Sequence, residues 1–243
     1  MKLVIDLGNS LQKAAVFAND TIVFQKTAAS VNDYLPQLFN NFEITSAILV
    51  TVINDFSEIN EIIRSKCPLL IFDKDTPVPV KSIYQTPETL GKDRLASVVA
   101  ANSLFPETNI LVIDAGTCIK YDFIDSAAVY HGGAISPGLT MRLKALHTFT
   151  EKLPLIELSE QEGLTGSNTR DSILSGVVNG TVAEMNGIIE QYNTLYPNLT
   201  VVLSGGDSEY LVNKLKNKIF AVSNIVLHGL KIILDHNDNL QKF

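Results

Sequence analysis

The chain has 243 residues, 46% of them hydrophobic and 19% charged, with a formal net charge of −7 and a pI near 5.1. That length suits one large domain or two small ones, and the acidic balance argues against a general nucleic-acid binder, which needs a basic face. Asp6 interrupts the N-terminal apolar stretch and no other apolar run is long enough to span a bilayer, so no signal peptide, no membrane anchor, a cytoplasmic location and free thiols at Cys67 and Cys118 are expected.

In chain order, Leu3-Val4-Ile5 runs into Asp6-Leu-Gly8-Asn9-Ser10, and Ala14–Phe17 resumes the apolar run. This predicts strand, tight turn, strand, with a third strand at Thr21–Phe24. A helix is expected within 30–42, weakened by Pro36 unless the proline opens it. A buried strand at Ala47–Val52, an amphipathic helix over Phe56–Ile63 capped near Asp55 or Ser57, and a short strand at Leu69–Phe72 complete an α/β pattern. Residues 73–90, with Pro77, Pro79 and Pro87, read as an extended loop, where binding residues concentrate. Gly91-Lys92-Asp93-Arg94 opens a helix running to about Phe105.

The opening pattern then recurs. Ile110–Ile113 leads into Asp114-Ala-Gly-Thr117-Cys118, followed by strands at Ile119–Ile124 and Ala127–Tyr130, and Asp114 lies 108 residues after Asp6. The glycine-rich stretch His131–Gly138 reads as a loop. Helices are expected at Leu139–Phe149 and from Asn168 or Thr169 to Tyr192, with 152–168 irregular between them. A strand at Thr200–Leu203 ends in Ser204-Gly-Gly-Asp207. Helices over 208–216 and 224–235 follow, and polar residues 236–243 are expected to fray. The division expected is 1–108 and 109–243.

The familiar phosphate-binding fingerprints are missing. There is no G-x-x-x-x-G-K-[ST] loop and no G-x-G-x-x-G motif, and the four histidines have no zinc spacing. What remains is carboxylates beside turns that can cradle phosphate: Asp6 with 8–13, Asp114 with 116–118, and the loop 204–207. Phosphoryl transfer to an alcohol needs neutralised phosphates, in-line positioning and a group to take the hydroxyl proton. Asp6 and Asp114 can serve the cation side, and Lys13 can neutralise a phosphate. Asp93, on a separate loop-to-helix junction, reads either as a first-turn carboxylate favoured by the helix dipole or as the base.

These stretches together resemble the type III pantothenate kinases, members of the acetate kinase and actin superfamily. The resemblance rests on Asp6-Leu-Gly-Asn-Ser10, Tyr84-x-x-Pro87-x-x-x-Gly91-x-Asp93-Arg94, Asp114-x-Gly-Thr117, Gly132-Gly-x-Ile-x-Pro-Gly138, Gly166-x-x-Thr169 with Gly176, and Ser204-Gly-Gly-Asp207. Ser10 stands where the family has threonine, Thr51–Asn54 departs from its Ser-Ser-Val, and Cys118 replaces a small or hydroxyl residue. The resemblance implies an α/β fold of two similar ribonuclease H-like lobes, an actin-like ATPase fold around a nucleotide cleft. It implies ATP-dependent phosphorylation of pantothenate, the first step toward coenzyme A, by a homodimer with no nucleic-acid or membrane partner. By the same resemblance Asp6, Gly8, Asn9, Ser10, Lys13 and Thr117 hold ATP, with Asp6 positioning Mg²⁺ through water. Asp114 binds a monovalent cation, K⁺ or NH₄⁺. Tyr84, Gly91, Lys92, Asp93, Arg94 and Thr169 line the pantothenate site, with Asp93 as base. The alternatives are another small-molecule kinase of the superfamily or a non-catalytic regulator.

Overall fold

Leu3, Val4, Ile5 and Leu7 are all fully buried, so strand β1 (Lys2–Leu7) is covered on both faces, as a continuous apolar run requires. The computed structural model describes residues 1–8, 11–53, 55–160 and 163–240. After the turn, β2 (Gln12–Ala18) returns antiparallel to β1, setting Asp6 opposite Lys13. A second turn at Asn19, whose φ of 53° lies in the left-handed region that asparagine tolerates, leads into β3 (Thr21–Ala28). Helix α1 (Leu35–Asn41) then carries the chain to β4 (Ser46–Thr51), parallel to β1, and α2 (Ser57–Arg64) to β5 (Leu69–Ile71), parallel to β4. The sheet order is β3-β2-β1-β4-β5. The two-residue strand β6 (Lys81–Ser82) lies in the proline-rich stretch before α3 (Lys92–Leu104).

The same plan is built a second time. Strands β7 (Ile110–Ala115), β8 (Cys118–Ile124) and β9 (Val129–Pro137) form an antiparallel meander. Helices α4 (Leu139–Thr148) and α5 (Thr169–Leu195) follow, then β10 (Thr200–Ser204), parallel to β7, α6 (Ser208–Val212), and β11 (Phe220–Ala221), parallel to β10. The run β11-β10-β7-β8-β9 repeats β5-β4-β1-β2-β3 strand for strand. The chain forms two compact units. One is Met1–Ala100 together with α7 (Ile225–Leu240), the other Ala101–Asn224.

Helix α7 is fixed to the first unit by charge as well as by its apolar face. The Lys231 ammonium, nearly buried, bonds Asp20 of the β2–β3 turn and Asp235 at 2.7 Å. Lys2 of β1 bonds Asp235 at 2.5 Å and Asp238 at 2.6 Å. Burial alone pushes the Lys231 ammonium down, but its bonds to the two aspartates turn the shift upward, and the same contact holds the Asp20 carboxyl below its usual range. A buried ammonium without such partners costs several kcal/mol, roughly, so this helix has one favoured seat.

Three expectations from the sequence need correction, and one strand went unread. The helix expected across 30–42 begins only at Leu35, because Pro36 lies in its first turn and offers no N–H to an earlier turn. The glycine-rich stretch 131–137 is strand, not loop. Gly133 lets β9 pass close to β8, since a Cβ on it would stand 1.6 Å from the Tyr121 carbonyl oxygen. Strand β11 had no clear apolar signal. The tail expected to fray from 236 is helical through Leu240, with the Asn237 amide donating to Pro77 O at 2.9 Å and to Ile233 O at 2.8 Å; residues 241–243 lie outside the described residues.

Helix α3 is buried nearly all round from Arg94 to Ala101. Gly229 of α7 lies against it so closely that a Cβ would stand 1.8 Å from the Ala96 carbonyl oxygen. Gly229→Ala should therefore lower the unfolding free energy by about 1–3 kcal/mol despite alanine's better helix propensity. Gly187→Ala on α5, where the added methyl meets nothing within 4 Å, should stabilise by a few tenths up to about 1 kcal/mol. Chemical denaturation of the two variants checks both signs.

Candidate functional site

In the first unit, Asp6 is a half-buried carboxylate between the buried Ile5 and Leu7 near the end of β1, directly opposite Lys13 across the hairpin. Gly8 follows, and a Cβ there would lie 2.8 Å from the Leu11 carbonyl oxygen, which is why the turn begins on glycine. Asn9 and Ser10 lie outside the described residues.

Several of the residues singled out in the sequence lie at or beside the start of α3. Arg94 is buried, with its guanidinium 5.7 Å from the centre of the half-buried Tyr84 ring. Lys92 folds back and donates to Pro87 O at 3.3 Å and Leu90 O at 3.2 Å, tying down the loop before the helix. Asp93 is one residue inside the helix. A Cβ on Gly91 would sit 2.6 Å from Asp93 Oδ1, so the missing side chain leaves space for that carboxylate. The Asp93 carbonyl accepts from Ser97 Oγ at 2.9 Å. Tyr84, Gly91, Lys92, Asp93 and Arg94 thus lie together in the structure.

In the second unit, Asp114 occupies the place on β7 that Asp6 holds on β1. It stands opposite Lys120 on β8, and Lys120 Nζ bonds Asp114 Oδ2 at 2.8 Å, with both side chains about four-fifths buried. The turn beyond it is gripped from two sides. Gly138 N donates to Thr117 O at 3.1 Å, and a Cβ on Gly138 would stand 1.9 Å from Gly116 O. Gly205, with φ of 97°, would bring a Cβ to 2.1 Å from Ala115 O, and Asp207 N donates to that oxygen at 3.0 Å. The Gly116 N–H is committed to Cys118 O at 3.0 Å, so what this turn presents outward is the exposed Thr117.

Thr169 stands elsewhere in this unit, exposed at the first position of α5. Asn168 caps that helix, its Oδ1 accepting from Asp171 N at 3.0 Å while its amide donates back to Asp171 Oδ2 at 2.7 Å. Thr169 borders an apolar recess of about 500 Å³ with Leu146, Leu153, Ser172, Ile173 and Gly176.

Three features escaped sequence reasoning. One is Lys120, although its spacing from Asp114 nearly repeats that of Lys13 from Asp6. The second is the burial of Asp207, in a loop the sequence did single out, which pushes its carboxyl up. The third is a network behind the second turn. Arg142 Nε donates to Pro137 O at 2.8 Å, and its Nη2 donates to Ser136 Oγ at 2.9 Å and to Glu184. Tyr121 Oη donates to the other Glu184 oxygen at 2.9 Å. Burial works against the Glu184 charge, but the bonds from Arg142, Ser136 and Tyr121 outweigh it and hold the carboxyl below its usual range.

Among the described residues no group of three or more His, Cys, Asp or Glu could hold a metal ion, and no helix is long and apolar enough to cross a membrane. The arrangement is one of single carboxylates at strand ends, each facing a lysine, plus one carboxylate at a helix start.

Known proteins share both the sequence and this arrangement of elements. The family model for type III pantothenate kinase matches residues 2–191. A type III pantothenate kinase from Phocaeicola vulgatus is 44% identical, covering 99% of this chain and 100% of its own. One from Bacteroides fragilis is 45% identical over 98% and 99% of the two chains. Among solved structures, one provisionally titled a Baf family transcriptional activator, from Campylobacter jejuni, superposes with a TM-score of 0.62 at 22% identity over 98% and 99% of the chains. A ROK family protein from Streptococcus pneumoniae gives 0.54 at 12% identity over 98% and 99%. The structural likenesses show the two-lobed, actin-like ATPase fold, and the sequence matches show more: the chain belongs to the type III pantothenate kinase family.

Proposed function

We propose that this chain transfers the terminal phosphoryl group of ATP to the primary hydroxyl of pantothenate, the first step toward coenzyme A. The observation that carries the reading is a family-wide match in a chain that keeps a carboxylate at the mouth of each repeated hairpin and a third, Asp93, at the start of α3. In this reading Asp6, Gly8, Asn9, Ser10 and Lys13, with Thr117, hold the nucleotide, and Lys13 neutralises a phosphate oxygen. Tyr84, Gly91, Lys92, Arg94 and Thr169 hold pantothenate. Arg94, buried against the Tyr84 ring, fixes the wall of that pocket beside Asp93. Enzyme of this kind works as a homodimer in the cytoplasm, with no nucleic-acid or membrane partner.

The chemistry asks little covalent work of the protein. The transition state of phosphoryl transfer is loose, so the acceptor hydroxyl keeps its proton until late and then gives it to the Asp93 carboxylate, for which Gly91 leaves room. Magnesium fits at Asp6. The ion keeps several waters and is held by one or two carboxylates plus substrate phosphates, and a single half-buried carboxylate at a strand end meets that demand. When bound, it neutralises charge on the phosphates.

A monovalent cation at Asp114, K⁺ or NH₄⁺, fits less well. That carboxylate is already paired with the Lys120 ammonium at 2.8 Å. Two unit charges of like sign 4 Å apart repel by about 4 kcal/mol near a protein surface.

A coupled assay with ATP and pantothenate tests the reading. Turnover on pantothenate and not on sugars or short acids is expected; turnover only on another acceptor would reassign the substrate. A folded protein with no phosphotransfer at all would point to a regulator.

Two substitutions separate chemistry from folding. Asp6→Asn fits the same space, so its unfolding midpoint should stay close to the parent's while turnover at ordinary Mg²⁺ collapses. Normal turnover would mean that the β1–β2 turn does not handle the metal. Asp93→Asn keeps a side-chain oxygen at the helix start, so stability should change by well under ~1 kcal/mol. It cannot accept the substrate proton, and turnover should fall by at least about 10²-fold with ATP binding retained. Near-native turnover would remove Asp93 as the base, and an unfolded variant would make it a structural carboxylate.

A further inference from the structure

Asp114 is about four-fifths buried at the end of β7. A carboxylate so placed needs a counter-charge, because its own solvation has been stripped away. In this chain the counter-charge is covalently attached. Lys120 occupies the position directly opposite on β8, with Ser204 of β10 on the other side of Asp114. Its Nζ lies 2.8 Å from Asp114 Oδ2, and its own side chain is buried to the same degree. The turn between the two strands is fixed by the contacts of Gly138 and Gly205 with the backbone of 115–117, so the lysine is held at that carboxylate by a rigid hairpin.

A lysine head and an ammonium ion offer the same thing: one positive charge and N–H donors on a tetrahedral nitrogen. A free cation bound to Asp114 would have to share its carboxylate with that head or displace it. We propose that the Lys120 ammonium stands permanently in the place of a monovalent cation at Asp114, so that the kinase runs without added potassium. The inference rests on the kinase reading above only for its activity arm. The occupancy of Asp114 by Lys120 is a matter of binding and is tested separately.

The experiment compares the parent chain and Lys120→Ala in sodium, potassium and ammonium chloride at equal ionic strength. Each is measured for turnover of ATP and pantothenate and for melting temperature without nucleotide. For the parent, rates and melting temperatures equal in all three salts within error are expected. Lys120→Ala removes the charge and opens space. Its turnover in sodium should fall by about 10-fold or more, as when a group supporting a catalytic ion is lost. Potassium or ammonium should restore most of that turnover and raise its melting temperature above the value in sodium.

Several results would overturn the proposal. A parent whose turnover rises severalfold in potassium over sodium needs a free cation, and this holds whether or not the variant folds. A Lys120→Ala protein as active in sodium as its parent shows that no charge is needed there. A folded variant that no salt restores gives Lys120 another role. If the parent is inactive in every salt, the kinase reading fails instead, and the melting temperatures still decide whether Asp114 takes up a cation only once Lys120 is gone.

Discussion

The backbone of Ala115–Thr117 is approached so closely at two points that only glycine fits there. Gly138 presses on it from one side and Gly205 from the other, each close enough that a methyl group would overlap a carbonyl oxygen. Two hydrogen bonds, from Gly138 N to Thr117 O and from Asp207 N to Ala115 O, fasten those carbonyls. The entropy of the turn is thereby removed by packing before any ligand arrives, which is what preorganised electrostatics requires. The grip extends backward. Gly138 begins α4, and Arg142 one turn later clasps Pro137 O, Ser136 and Glu184, while Glu184 takes the buried Tyr121 hydroxyl from β8. Strand, turn, α4, α5 and strand again form a closed ring of contacts around the Asp114 hairpin.

The two units share one topology but use it differently. In each, a meander is followed by two parallel strands, and the central strand ends in a carboxylate opposite a lysine. The first unit adds α3, which carries Asp93 and Arg94 on a helix buried almost all round, and it is sealed by α7 through Gly229 and through the Lys2 and Lys231 ion pairs. The second adds α5, 27 residues long, whose capped start presents Thr169. A repeated scaffold thus supplies a carboxylate-tipped hairpin in each unit, and each unit adds its own helix to it.

Much of this was legible because it depends on local chemistry. An apolar run that stops at Asp-x-Gly announces a buried strand ending in a turn, and it did so at both Asp6 and Asp114. Helix α2 was legible from its spacing and from Asp55, whose carboxylate takes both the amide and the hydroxyl of Ser57. What could not be read depends on partners distant in sequence. Glycines at 132 and 133 mean loop locally, yet here they lie in a strand, and Gly133 lets it pass close over Tyr121 and Asp122. Asn237 and Asp238 look like a frayed polar end until Pro77 and Lys2 are placed beside them. Lys120 became significant only when the register of β8 set it opposite Asp114.

The ion pairs fall into two kinds, and the difference bears on function. Lys231 with Asp20, Lys2 with Asp235 and Asp238, and Arg142 with Glu184 join one element to another, and each stabilises a seat for a helix. Asp6, Asp93 and Asp114 instead stand at the ends of elements, partly buried, where an apolar strand or a helix start delivers them to a turn. A carboxylate that only stabilised the fold would gain more from the first kind of position, between two packed elements with a long cation across it. Asp114 has such a cation, but it comes from the adjacent strand of its own hairpin and joins nothing that the backbone ladder has not already joined. Its ion pair therefore makes sense as a charge set in place for a ligand rather than as a brace for the sheet.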